Sequence, residues 1–319
     1  MKVHLLYDYG ELFFSNLNEK LAFDIQLSVG KEILDPAEYE ILIAGVPERE
    51  HLTVSKNLKT LIIPWAGLPK PTAELMKEFE QIDIHNIHHN SSTTAEMAVS
   101  LMISALKRII PVDRDLRSND WRRRYSDEPI LLLEGKTVTV LGYGAIGQKV
   151  TEICKAFKMN VNVVKRTNDK NISDIYSLEA LQSLLPKSDV LIICLPLTKE
   201  TTGLIGQDEL KLLPENATIV NVSRGEVVDE KALYDELKSG RIKAGIDVWY
   251  NYPKSEEQRE DCPPSDFPFH KLDNVVMTPH LAGHSDMTEP NRAEALAELL
   301  NLAYEGKPLP NKVDLQLGY

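Results

Sequence analysis

The stretch Val138-Thr139-Val140-Leu141-Gly142-Tyr143-Gly144-Ala145-Ile146-Gly147 decides the fold. An apolar, β-branched run leads into GYGAIG, and apolar residues at helical spacing follow at Ile146, Val150, Ile153, Cys154 and Phe157. A second apolar run, Met159 to Val164, comes next. Strand, glycine turn, helix and strand in that order form the phosphate-binding turn of a dinucleotide fold. Gly142 permits the tight turn, Gly144 keeps side-chain atoms away from a pyrophosphate, and Gly147 lets the helix pack close to the strand. The helix start offers unpaired N–H groups and the positive end of its dipole to phosphates. Gly142, Tyr143, Gly144, Ala145, Ile146 and Gly147 are therefore candidate cofactor residues.

On both sides of this stretch, short apolar strands alternate with amphipathic stretches, which predicts parallel α/β layers. Strands are expected at Lys2–Leu6, Asp24–Leu27, Ile41–Ala44, Thr60–Ile63 and Gln81–Ile84 before the turn. After it they are expected at Val190–Leu195, Thr218–Asn221, Lys243–Val248 and Asn274–Thr278. Helices are expected at Thr72–Phe79, Thr94–Ile110, Asp229–Lys238 and Pro290–Tyr304, with polar Asp113–Glu128 as a bridge. A nucleotide turn in mid-chain implies one domain inserted into another. Residues 1–95 with 284–319 should form the first, and 96–283 the dinucleotide-binding domain.

Bulk properties narrow the partners. The net charge is −12, which argues against nucleic acid or an anionic membrane surface. Cys154, Cys194 and Cys262 are too few and too scattered for a disulfide framework or a zinc site, and suit reduced thiols in the cytoplasm. His88 and His89 are adjacent and point to different faces in extended chain, so no metal site is expected. No apolar run reaches membrane-spanning length, and MKVHLLYDYG reads as a strand and turn rather than a signal peptide.

Dinucleotide folds usually place an acidic residue after the second strand to bind the adenosine ribose. Eighteen residues beyond Gly147 stands Lys165, followed by Arg166 and Thr167. Two cations and a hydroxyl suit a 2′-phosphate, so NADP is expected, with NAD the alternative.

Two later strings carry reactive groups. Arg224, in Asn221-Val222-Ser223-Arg224-Gly225, follows an apolar strand at the end where α/β sheets bind ligands, and can clamp a carboxylate. His280, in Thr278-Pro279-His280-Leu281-Ala282-Gly283, also follows a strand and can exchange a proton near neutral pH.

Together these motifs resemble the D-specific 2-hydroxyacid dehydrogenase family over nearly the whole chain. The resemblance includes NSSTTAE (90–96), GYGAIG, Leu195-Pro196-Leu197-Thr198 with Thr201, NVSRGEVVDE (221–230), AGIDV (244–248) and TPHLAG. It implies a doubly wound Rossmann domain inserted into a flavodoxin-like substrate domain, and reduction of a small 2-oxo acid of the glyoxylate or hydroxypyruvate type. Arg224 would hold the substrate carboxylate and His280 would protonate the carbonyl oxygen. Leu195, Pro196, Thr201, Asn221, Val222, Ser223, Asp247, His280 and Ala282 would line the cofactor. Backbone amides at Trp65, Ala66, Gly67 and Leu68 would help hold the carboxylate. Members usually dimerise through the long helix, here near Ala95–Ile110, so a homodimer is expected.

One position departs from the family. A glutamate that pairs with the catalytic histidine usually precedes a proline after Asp-Val. Here Tyr252 precedes Pro253. Three readings follow. Tyr252 orients His280 as a catalytic residue; the acidic run Glu256, Glu257, Glu260 and Asp261 supplies a carboxylate; or proton transfer is impaired or unneeded, as in formate dehydrogenases. Anion oxidation of the formate or phosphite type, and a dinucleotide-sensing binding role, are the alternatives to a reductase. Trp65, Leu68, His88, His89, Trp249 and Tyr250 are candidates for shaping the substrate pocket.

Overall fold

Apolar runs flanked by polar turns become the strands of two parallel sheets. The computed structural model describes residues 1–126, 130–166 and 174–319. The chain divides into two compact units, Met1–Asn90 with His284–Tyr319, and Ser91–Gly283.

In the first unit β1 (Lys2–Leu5), β2 (Gln26–Val29), β3 (Ile41–Ile43), β4 (Thr60–Ile63) and β5 (Asp83–Asn86) alternate with α1 (Glu11–Lys20), α2 (Arg49–Thr53) and α3 (Lys70–Met76). The sheet order is β2-β1-β3-β4-β5, all parallel, which is the flavodoxin-like order. One face buries Phe13 and Leu17 of α1, the other Leu52 of α2 and Met76 of α3.

The second unit begins with α4 (Ser91–Leu106) and α5 (Ile109–Arg117), then β6 (Thr137–Leu141), α6 (Ala145–Ala156), β7 (Asn160–Lys165) and β8 (Ile175–Ser177). It continues through α7 (Leu181–Leu184), β9 (Val190–Ile193), α8 (Gln207–Leu212), β10 (Thr218–Asn221), α9 (Glu230–Lys238), β11 (Lys243–Ile246) and β12 (Val275–Met277). The order β12-β11-β10-β9-β6-β7-β8 is the doubly wound Rossmann arrangement, with the direction of winding reversing between β6 and β9. Both faces are covered, as an all-parallel sheet requires. The last helix, α10 (Thr288–Tyr304), returns to the first unit, where Leu296 and Leu300 join its core.

Three local expectations are corrected, and one strand was not expected. The helix expected over Thr94–Ile110 ends at Leu106, because the chain turns at Arg108 (φ 55°) and restarts as α5. Pro111 explains the break: inside a continuous helix it would lose a bond and clash with the carbonyl one turn back, whereas the first turn of a new helix accepts it. The supposed polar bridge thus begins as helix, braced by Asp113 and Arg117 one turn apart at 2.7 Å. Strand β8 gave no clear sequence signal at three residues. The expected boundary at 95/96 falls inside α4, which belongs wholly to the second unit; Gly245 lets it lie against β11, since a Cβ there would sit 2.7 Å from the Leu101 side chain. Among the described residues no helix is long and apolar enough to cross a membrane.

Candidate active site

The glycine turn has the geometry its sequence implies. Gly142 adopts φ 106°, and a Cβ there would sit 2.6 Å from the Cys194 carbonyl. A Cβ on Gly147 would collide with the Gly142 carbonyl. Gly144 caps α6 without a side-chain hydrogen bond, and a Cβ there would meet nothing within 4 Å. The first two glycines are demanded by the protein's own backbone. The third borders open space at a helix start, as a pyrophosphate requires. Tyr143, Ala145 and Ile146 lie in the same turn, and the Tyr143 carbonyl accepts from Gln148 at 3.2 Å.

Lys165 is the last residue of β7. Leu141 pairs with Val164, and Gly142 N–H donates to the Val164 carbonyl at 2.8 Å. That register sets Lys165 and Arg166 beside the glycine turn. Thr167 lies outside the described residues. Beyond β9, Leu195 and Pro196 open a loop closed by Thr201, whose Oγ1 donates to the Pro196 carbonyl at 2.7 Å and accepts from Thr198 N–H at 2.8 Å.

The loop after β10 presents Arg224. Asn221 organises it: Nδ2 donates to the Arg224 carbonyl at 2.8 Å, and Oδ1 accepts from Ser223 N–H at 3.0 Å and Ser223 Oγ at 2.9 Å. The Arg224 guanidinium donates through Nη1 to the Ser223 carbonyl at 2.6 Å. Gly225 is pressed against the next loop, since a Cβ would sit 2.5 Å from the Trp249 carbonyl. Val222 is buried in the core, so only its backbone is available to a ligand.

Asp247, fully buried just past β11, organises the histidine loop. Its Oδ1 accepts from Thr278 Oγ1 at 2.6 Å and Leu281 N–H at 2.9 Å, and its Oδ2 from Ala282 N–H at 2.9 Å. Hydrogen bonds to a charged acceptor contribute about 1.5–3 kcal/mol each, which offsets the cost of burying the carboxylate. The Asp247 carbonyl also accepts from His280 N–H at 2.8 Å. Held this way, His280 takes a left-handed conformation (φ 56°) and stands at the surface.

Tyr252 lies against His280, ring centroids 5.5 Å apart and tilted by 55°. Its hydroxyl accepts from Trp249 N–H at 3.0 Å, leaving the phenolic proton to donate. Burial raises the phenol above its ordinary value, opposed by the Trp249 amide and the Arg224 charge, so it is protonated at neutral pH. Glu256, Glu257, Glu260 and Asp261 all face solvent, and Glu256 pairs with Arg259 at 3.0 Å. Trp249 is core: it packs edge-on to Phe269, and its Nε1 donates to the Thr278 carbonyl at 2.9 Å. Tyr250 spends its hydroxyl on the Val228 carbonyl at 3.0 Å.

In the first unit, the Trp65-Ala66-Gly67-Leu68 turn follows β4. The Trp65 ring lies where a Cβ of Gly45 would be, and Asn86 Nδ2 donates to the Ala66 carbonyl at 2.7 Å. Among the described residues the amides of Ala66, Gly67 and Leu68 donate to no protein acceptor. No group of three or more His, Cys, Asp or Glu among the described residues is placed to hold a metal.

The family profile described as "D-isomer specific 2-hydroxyacid dehydrogenase, NAD binding domain" matches residues 99–282. The chain belongs to the D-isomer-specific 2-hydroxyacid dehydrogenase family. Within that family it is 32% identical to a glyoxylate reductase of Aeropyrum pernix, over 88% of each chain. It is 31% identical to the D-3-phosphoglycerate dehydrogenase of Archaeoglobus fulgidus, over 92% of this chain but only 55% of that one, so it spans about half that relative's length. A solved family structure from Xanthobacter autotrophicus Py2, in complex with NADPH and MES, superposes with a TM-score of 0.80 over 99% of both chains at 26% identity. A nicotinamide dinucleotide is thus the cofactor class of the second unit.

The sequence reading missed the anchoring role of Asp247, the closing of the Arg224 loop by Asn221, and the packing function of Gly45. An Asp after a strand and an Asn in a turn carry a weak signal. Gly45 carries none, because its neighbour Trp65 is close only in space.

Proposed function

We propose that this dehydrogenase reduces a small 2-oxo acid, of the glyoxylate or hydroxypyruvate kind, to a D-2-hydroxy acid with NADPH. The observation that carries the reading is the clustering of Arg224, Tyr252 and His280 on loops beyond adjacent strands β10, β11 and β12, in the unit that holds the glycine turn. Arg224 clamps the carboxylate through parallel hydrogen bonds and draws electron density from the neighbouring carbonyl. When bound, the nicotinamide supplies the hydride that becomes the new C–H bond. His280 gives the proton that turns the carbonyl oxygen into a hydroxyl. Tyr252 fixes the imidazole plane through its ring and replaces the usual carboxylate with a neutral phenol. In the first unit, the amides of Ala66, Gly67 and Leu68, which donate to no protein acceptor among the described residues, suit a substrate carboxylate.

Lys165 and Arg166 suit the 2′-phosphate of NADPH. Asn221, Ser223 and Asp247 serve the site by shaping loops, and Leu195, Pro196 and Thr201 by lining it. The homodimer contact is assigned to the exposed apolar residues Ile109, Ile110, Leu116, Trp121 and Tyr125, because the residues of α4 are largely buried within their own unit.

Steady-state rates with NADPH and NADH on glyoxylate, hydroxypyruvate and pyruvate, and in reverse on 3-phospho-D-glycerate, test the reading. A preference for NADH overturns the Lys165–Arg166 role, and turnover confined to 3-phospho-D-glycerate overturns the substrate class. Tyr252→Phe should lower reductive turnover. Tyr252→Glu should carry the alkaline loss of activity to higher pH, since a carboxylate favours the imidazolium. Unchanged pH–rate profiles in both variants would remove Tyr252 from the mechanism.

A further inference from the structure

The strand order of the first sheet reverses between β1 and β3, and open parallel sheets bind ligands beyond the carboxyl ends of their strands at such a reversal. One side chain ties together the connections there. Arg292, near the start of α10, stacks its guanidinium over the ring of Tyr9, beyond β1, at 4.8 Å. Through Nη1 it donates to the carbonyl of Pro64, beyond β4, at 2.9 Å. Glu289, one turn earlier, holds its other edge: Nη2 donates to Oε1 at 3.1 Å, and Nε lies 3.0 Å from Oε2. The Arg292 side chain is only 12% exposed. A guanidinium already neutralised by a carboxylate and nearly buried is poorly suited to capturing a diffusing anion. It is well suited to fixing a carbonyl, because its planar fork loses little freedom per bond formed.

The carbonyl it fixes belongs to the residue directly before the Trp65–Leu68 turn. Asn86 grips that turn at the Ala66 carbonyl, and Trp65 rests on Gly45. Arg292 supplies the hold at Pro64. Tyr9 contributes through its ring, over which the guanidinium lies.

We propose that Arg292 is a positioning residue: its bond to the Pro64 carbonyl, braced by Glu289 and Tyr9, sets the direction of the Ala66–Leu68 amides toward a substrate carboxylate. The inference rests on the carboxylate role proposed for that turn. The test is steady-state kinetics of Arg292→Leu and Arg292→Lys in the full chain with glyoxylate and NADPH, alongside NADPH affinity and Ala66→Pro, which deletes one turn amide. Arg292→Leu should raise KM about tenfold with kcat within about threefold and NADPH affinity unchanged, an energetic loss localised to ground-state binding. Arg292→Lys should recover part of that loss, because an ammonium still reaches the carbonyl. A KM raised by Ala66→Pro but not by Arg292→Leu overturns the proposal and leaves the turn's role standing. A KM unmoved by either removes both. If Arg292→Leu does not fold, Glu289→Gln decides by the same split: a raised KM supports the brace, an unchanged one overturns it.

Discussion

The connection β6–α6 and the connection β4–α3 are both strand–turn–helix units at the carboxyl end of a parallel sheet, and they reach their shapes by opposite means. In the first, backbone lies against backbone: a Cβ on Gly142 or Gly147 would strike a carbonyl that cannot move aside. In the second, a side chain fills the close approach. The Trp65 ring occupies the space over Gly45, and hydrogen bonds from Asn86 and Arg292 hold the flanking carbonyls. A turn shaped by backbone contact tolerates only glycine and so leaves a pattern. A turn shaped by side chains leaves none, because its partners come from distant parts of the chain.

This contrast can be broken by substitution. The largest effect is expected from Gly147→Ala. The new methyl must displace main chain, so dinucleotide binding should fall by about 100-fold or more and stability by roughly 3 kcal/mol, the upper range for overpacking. Cofactor fluorescence titration and thermal melts read both, and near-native binding would mean that α6 can slide. Gly45→Ala should cost less, about 1–2 kcal/mol, because the indole can swing away. Trp65, the one tryptophan of the first unit, should change its emission while dinucleotide affinity holds. An unchanged spectrum would contradict the packing described.

Acid should then separate the units. Burial lowers His4 below its ordinary 6.5 and His89 to about 4, the latter helped by the Arg292 charge. Both sit in the first unit and fold neutral. The unfolded chain takes up protons below about 6.5 while the folded chain does not, so the contribution of both is complete above 6.5 and is lost as pH falls below it, for His89 as pH falls toward 4. Urea melts followed at Trp65 should weaken across that window, and a flat response would show that the buried imidazoles accept protons without loss. The smallest stability effect is expected at Gly144. Its φ of −79° accepts alanine and the space is open, so Gly144→Ala should leave Tm nearly unchanged yet weaken dinucleotide binding by about tenfold. Unaltered binding would mean that the phosphates lie elsewhere.

The site shows the same division. Arg224 and His280 could be picked out because each follows a strand within a recognisable string, and Tyr252 because it stands where the family resemblance places a glutamate. That Asn221 closes the Arg224 loop could not be seen, since a side chain bonding its neighbours looks in sequence like one reaching for a ligand. Asp247 is similar: its carboxylate is committed to Thr278, Leu281 and Ala282, some thirty residues on. Trp249 stood among the aromatic candidates for the pocket and is core instead.

By itself the sequence determined the alternation of strands and helices, the glycine turn and the family, because strand burial, helical periodicity and steric exclusion of a Cβ are local constraints written residue by residue. Tertiary structure alone decided that Asp247 sets the His280 backbone and that Arg292 reaches Pro64. Those outcomes depend on which distant groups satisfy a buried charge or an orphaned carbonyl, and such partners are chosen by the packing of the sheets rather than by neighbours in the chain.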